Sequence, residues 1–154
     1  MENAPINFRF VAIQTISKSM AQSPEPPIDL SLTSFNITVE TRVHAQSRLV
    51  MPYVHLKVNR TDTKMELASL TVAYYFEIEE FDKFILLNED KLYLIPPHLD
   101  ALIRPVCIST TRGVFYSEFR GTYLHNCIMP VVFMDAFTEI KNAPPLVTEN
   151  IAAN

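Results

Sequence analysis

Glycine is scarce in this sequence: Gly113 and Gly121 are the only two in 154 residues, where average usage of about 7% would give about eleven. Loops that cradle phosphates need several glycines, because backbone N–H groups must come close to the anion. With the pair eight residues apart, neither G-x-G-x-x-G nor G-x-x-x-x-G-K-[ST] can be written, and there is no G-x-S-x-G nucleophile elbow. Cysteine is equally sparse, and Cys107 and Cys127 fall short of a zinc or disulfide framework. The four histidines (His44, His55, His98, His125) lie in four segments with no i,i+4 pair. A metal site would need His125, Cys127 and the distant Cys107 to converge, so neither metal nor cofactor is expected. An excess of positive charge is missing too. Thirteen Lys and Arg against seventeen Asp and Glu leave a net charge of −4 with no basic run, which argues against nucleic acid as a partner. The longest uninterrupted apolar stretch, residues 128–134, is seven long and contains Pro130, too short for a membrane span. Residues 1–5 carry no positive n-region followed by an apolar run, so a soluble, cytoplasmic chain is expected.

What remains is a globular composition, 48% hydrophobic and 19% charged. A chain of this length buries roughly 68–70% of its unfolded surface without help from metal or disulfide. One domain over residues 1–142 is expected, with 143–154, which carries Pro144-Pro145, as a loose tail. Residues 8–16 are dense in β-branched and aromatic side chains and read as a first strand, and Ser23-Pro24-Glu25-Pro26-Pro27 breaks it off. Two alternations follow, Ile28/Leu30/Leu32 and Phe35/Ile37/Val39. Their parity switches near Thr33-Ser34, as a β-bulge would make it. Val54, Leu56 and Val58 alternate with polar neighbours, and residues 65–79 form a long strand with Leu70, Val72, Tyr74, Phe76 and Ile78 on one face. Four strands joined by polar turns predict an antiparallel sheet with one apolar face.

From Pro96-Pro97 the period changes to that of a helix, with Asp100 in its first turn and Pro105 inside. Leu99, Leu102, Ile103, Val106, Thr110, Gly113, Val114 and Ser117 recur at spacings of three and four. The other side carries Ile108, Phe115, Tyr116 and Phe119. A helix apolar nearly all round must be covered on two sides, and one sheet covers only one. Ser109, Gly113 and Ser117 are small residues one turn apart. They accommodate either this chain's own sheet or the backbone of a second copy, and a homo-oligomer follows from the latter. Residues 131–140 read as a second, short helix. Glu77 and Glu79 share a strand face and, with Glu80, make an acidic patch: a solvated edge, a dock for a basic peptide, or a carboxylate pair for acid/base chemistry. Between residues 114 and 137 large apolar and Met side chains crowd together. They serve as core, as oligomer interface or as an adaptable binding groove, and for the group a groove is favoured.

The run Ile108-Ser109-Thr110-Thr111-Arg112-Gly113, then Arg120-Gly121-Thr122-Tyr123-Leu124 and Met129-Pro130-Val131-x-Phe133, resembles the SecB export chaperones, above all their divergent SecB-like branch. The likeness in element order covers roughly residues 6–140, and its motifs lie within 108–133. The stretch Leu124-His125-Asn126-Cys127 departs from the Gln/Leu/Asn-rich lids of that family. The resemblance implies an ATP-independent holdase for unfolded or precursor polypeptides, assembled as a dimer of dimers. Carried over, it implies a client groove of Phe115, Phe119, Tyr123, Leu124, Ile128, Met129, Val131 and Phe133, a lid bounded by Gly121 and Pro130, and contact of the SecA motor ATPase with Glu77, Glu79 and Glu80.

The expectation is therefore an α+β domain, a four-stranded antiparallel sheet followed by one long and one short helix. It would form a homotetramer whose function is non-catalytic binding of unfolded chains, in export. The alternative is an oligomer of the same fold dedicated to one partner, such as an antitoxin. An enzyme working through Glu77 and Glu79 is a third class and would need both carboxylates in a concave pocket.

Overall fold

The computed structural model describes residues 5–22 and 29–131. Its frame is the antiparallel sheet that the alternations predict: β1 (Phe8–Met20), β2 (Thr33–His44), β3 (Leu49–Arg60) and β4 (Glu66–Ile78), in the order β1-β4-β3-β2. Successive residues of a strand point to opposite faces. Val50, Val54, Leu56 and Val58 of β3 therefore meet Leu70, Val72, Tyr74, Phe76 and Ile78 of β4 on one side, all buried. These two strands are central, so their apolar rows are flanked on both sides. β1 and β2 are the edges.

β1 pairs with β4, from Phe8 opposite Ile78 to Met20 opposite Ala68. It runs four residues beyond the expected end at Ile16. Register shifts between Phe10 and Ala12 and between Thr15 and Ser17 leave Val11 and Ile16 as extra residues. The bulge expected at Thr33-Ser34, by contrast, is absent. Leu30–Leu32 make one 3-10 turn, capped by the Asp29 carboxylate, which accepts from the Ser31 N–H at 2.9 Å. β2 then begins at Thr33 and runs against β3 in unbroken register to His44 opposite Leu49. A three-residue turn and a two-residue alternation look alike over so short a stretch, and the capping carboxylate selects the turn.

β4 ends at Ile78, so Glu79 lies beyond the strand and does not share a strand face with Glu77; Glu80 follows in the left-handed region at φ 51. A single helical turn, α1 (Phe81–Phe84), and a small hairpin, β5 (Leu86–Leu87) and β6 (Tyr93–Leu94), form the crossover to α2 (Pro97–Glu118). Pro97 occupies the first turn, where a missing N–H costs nothing, and Asp100 holds Arg104 one turn on at 2.8 Å.

α2 lies along the sheet by only part of the stripe expected from Leu99 to Ser117: Leu99 and Ile103 are buried, and the rest of that stripe is not. The buried row is Leu99, Ile103, Cys107, Thr111 and Phe115, continued by Phe119, with Ile108 beside it. Leu102, at 54% exposed, together with Val106, Gly113 and Ser117 faces outward. Both rows have helical spacing. The row that wins buries two phenylalanines, whereas its rival spends positions on Gly113 and Ser117, which have little surface to hide. It also satisfies a buried hydroxyl pair. Thr111 donates to the Cys107 carbonyl at 2.8 Å, so Tyr74 donates to Thr111 at 2.6 Å. Phe115 closes this end of the core, edge-on to Phe35 of β2 and 4.7 Å between ring centroids from Phe119.

Candidate functional site

The segment after α2 is a run of tight turns folded back onto the sheet. Gly121 takes φ +78, a conformation that side chains rarely adopt. Thr122 donates to the Phe119 carbonyl at 2.7 Å and accepts from the Leu124 N–H at 3.1 Å. Tyr123 donates to the Ala21 carbonyl at 3.0 Å, and Cys127 lies 3.6 Å from the Thr33 hydroxyl at the start of β2. The turn segment is thereby tied to both edges of the sheet.

This tethering decides where the expected groove residues go. Phe115, Phe119, Leu124 and Met129 are core side chains, each 2% exposed or less, and Tyr123 is partly buried. In the single chain these side chains are committed to its own sheet and do not line an open groove together. Ile128 (66%) and Val131 (63%) stand in solvent. Phe133 and the short second helix lie outside the described residues, as does the 143–154 tail. Pro130, the expected far boundary of the lid, is exposed.

Two surfaces remain open. One comprises the edge strand β1 and the outward row of α2. Every residue of β1 is exposed, including Phe8, Phe10, Val11, Ile13, Ile16 and Met20. Phe8 and Phe10 rest on Phe76 and Tyr74 with their outer faces uncovered. On α2, Leu102, Val106, Ser109, Gly113 and Ser117 are exposed, and a Cβ built on Gly113 would meet nothing within 4 Å. The sequence signal for β1 was present in its lack of alternation: an edge strand with apolar residues on both faces has no polar side to give to water.

The other surface is a small groove of about 170 Å³ between α2 and the last described residues. Pro105, Ile108, Ser109 and Arg112 form one wall and Met129, Pro130 and Val131 the other. Arg112 reaches Ser109 at 3.4 Å and has no carboxylate partner among the described residues. The crossover hairpin adds exposed Leu86, Leu87 and Leu94, residues that the sequence reading passed over because two-residue strands carry no period.

The acidic patch is less acidic than its sequence. Glu77, Glu79 and Glu80 line one open cavity of about 390 Å³, but Arg9 and Arg48 line it as well. Glu77 is bound by Arg9, and Glu80 by Lys83 at 2.8 Å. Burial pushes the Cys107 thiol up to about 12 and raises that of Cys127 as well, which favours the protonated form of both. No three potential metal ligands cluster among the described residues. No described helix is long and apolar enough to cross a membrane.

No family model and no curated protein matches the chain. Among solved structures it is similar to a SecB-like chaperone of Mycobacterium tuberculosis in complex with a ChAD peptide from the HigA1 antitoxin. The identity is 14% and the TM-score 0.43, over 81% of this chain and 86% of that one.

Proposed function

We propose that this chain is an ATP-independent binder of non-native polypeptide, working as a homo-oligomer. The observation that carries the reading is the number of large apolar side chains left exposed, on β1, on the outer row of α2, on the crossover hairpin and at Ile128 and Val131. A soluble monomer rarely leaves such patches open, and those that exist mark interaction sites. The motifs at 108–133 that resemble SecB chaperones point the same way. In this reading the exposed faces of β1 and α2, with Gly113 and Ser117 in the seam, are closed by a second copy, and Ser109 stays at the margin, facing the lid groove. Clients then take the surfaces beside the lid and the crossover hairpin: Ile128, Val131, Leu86, Leu87 and Leu94. The energy is apolar burial, and affinity grows with the exposed apolar length of the client. The acidic cavity is a weaker dock for a basic segment such as that of an export motor, since Arg9 and Lys83 already hold Glu77 and Glu80.

A second reading, one dedicated partner instead of many, draws support from the size of the lid groove. About 170 Å³ is close to the 150 Å³ cavity that holds one benzene, room for a single side chain. Light scattering of several chemically unfolded proteins, diluted with and without this one, separates the readings, with the assembly's mass taken from the same sample. Suppression of aggregation by an assembly of several chains supports general holding. Full aggregation of every client removes it and leaves the dedicated partner.

A further inference from the structure

Resting on the reading of this chain as a polypeptide binder, we propose that the lid groove selects client segments in which one large apolar side chain is flanked by Asp or Glu. Its walls are Pro105 and Ile108 on one side and Met129, Pro130 and Val131 on the other, and its volume is about 170 Å³. That is one apolar residue's worth of space, so the groove alone cannot read a long apolar run. Among the described residues the single charge lining it is the guanidinium of Arg112. Unlike Arg104 about two turns earlier in α2, which is tied to Asp100 at 2.8 Å, Arg112 has no acidic partner among the described residues and there makes only the 3.4 Å contact to Ser109. A fork of five donors beside an apolar slot, next to the Ser109 hydroxyl, is matched by a carboxylate one or two residues away from the inserted side chain. Clients rich in Lys around their apolar residues would meet a like charge there. The groove thus turns an unspecific apolar binder into one with a sign preference.

The test uses the full chain and three fluorescent twelve-residue peptides that share a central Phe-Leu pair. Their flanking residues are all Asp, all Asn or all Lys. Fluorescence anisotropy at 50 mM salt should give the Asp peptide about fivefold tighter binding than the Asn peptide, and the Lys peptide the weakest, with the spread shrinking at 0.5 M salt. Arg112→Gln should erase the difference between Asp and Asn flanks. Arg112→Lys should keep part of it, and Arg112→Glu should reverse the order. Since Arg112 makes only a marginal contact, the variants should show unchanged far-UV circular dichroism and melting, so a folding defect would be visible as such. Equal binding of the three peptides by the native chain overturns the charge preference while leaving the holdase reading standing. A preference that survives Arg112→Gln overturns the role of Arg112. Failure of every peptide, together with failure to hold unfolded proteins, overturns the function on which the inference rests.

Discussion

Gly113 offers the sharpest test of what covers the outer row of α2. It sits inside a 22-residue helix, and a Cβ there would touch nothing within 4 Å in the single chain. Judged by that chain alone, glycine is the wrong residue: alanine would add about 1 kcal/mol through the reduced freedom of the unfolded state and better helix propensity. In melting temperature this is a gain of about 2–4 °C for a chain of this size. If a second copy packs its backbone against this point, the sign reverses with assembly. An inserted side chain then costs about 1–3 kcal/mol at each contact, and a two-fold interface meets it twice. The dimer dissociation constant would rise roughly 30-fold to 10⁴-fold for Gly113→Leu. The assay is a concentration series: thermal melts from nanomolar to tens of micromolar, with mass measured by sedimentation. Gly113→Ala should be the more stable protein where chains are dissociated. Gly113→Leu should remain smaller in mass than the native chain at concentrations where the latter assembles. Gly113→Leu with native mass and raised stability at every concentration would show that nothing packs at Gly113, and the oligomer would have to close elsewhere.

Three further outcomes follow from the core and its edges. Tyr74→Phe and Thr111→Val should differ in cost. The first leaves Thr111 bonded to the Cys107 carbonyl and should cost about 0.5–1.5 kcal/mol in denaturant unfolding. The second strands the Tyr74 hydroxyl in the core and should cost about 1–3 kcal/mol; equal costs would contradict the assigned donor order. The Glu40 carboxyl is lowered from its ordinary value, first by its bond to Arg42 at 2.9 Å and also by His55 beside it. Its stabilisation is therefore present above the unfolded value near 4.5 and is lost as pH falls through the lower folded value. Glu40→Gln should be less stable than the native chain at pH 7, with the gap closing in acid; a gap independent of pH would refute the ion pair's part in it. Phe119→Ala should lose about 3–5 kcal/mol of stability, whereas Ile128→Ser with Val131→Ser should stay within about 0.5 kcal/mol of the native chain and weaken client binding. Binding unaffected by the double change would remove the lid from the client surface.

The sheet was legible because its central strands obey a strict period of two. Every second residue from Leu70 to Ile78 is buried as the pattern requires. α2 was legible in extent but not in orientation. A helix with two apolar rows gives no phase, and the phase is set by the match between Thr111 and Tyr74 and by the volume of Phe115 and Phe119, which only the assembled sheet supplies. The crossover hairpin and the order β1-β4-β3-β2 were not legible. A two-residue strand has no period, and strand order depends on where a linker crosses. For the candidate site, the motifs gave a list of apolar side chains but not which of them the single chain buries: Phe115, Phe119, Leu124 and Met129 are core, and Ile128 and Val131 are exposed. The turn residues Gly121 and Thr122 close the loop back onto the sheet, so the aromatic residues near them turn inward.

That inward turn changes what the aromatic richness of residues 114–129 means. Had Phe115, Phe119, Leu124 and Met129 been exposed, a single chain would offer a broad apolar trough and need no partner to define it. Because they are core, the apolar surface left over lies at the edges: β1, the outer row of α2, the crossover hairpin and the two residues Ile128 and Val131. Edge surfaces become grooves only when something stands opposite them. A strand with two bulges resists extension by arbitrary strands, so its apolar faces call for a matched cover, and a second copy is the one cover always present at the same concentration. If the proposed assembly forms, it completes the client surface that the lid groove begins, and conditions that dissociate it should weaken holding before they unfold the domain.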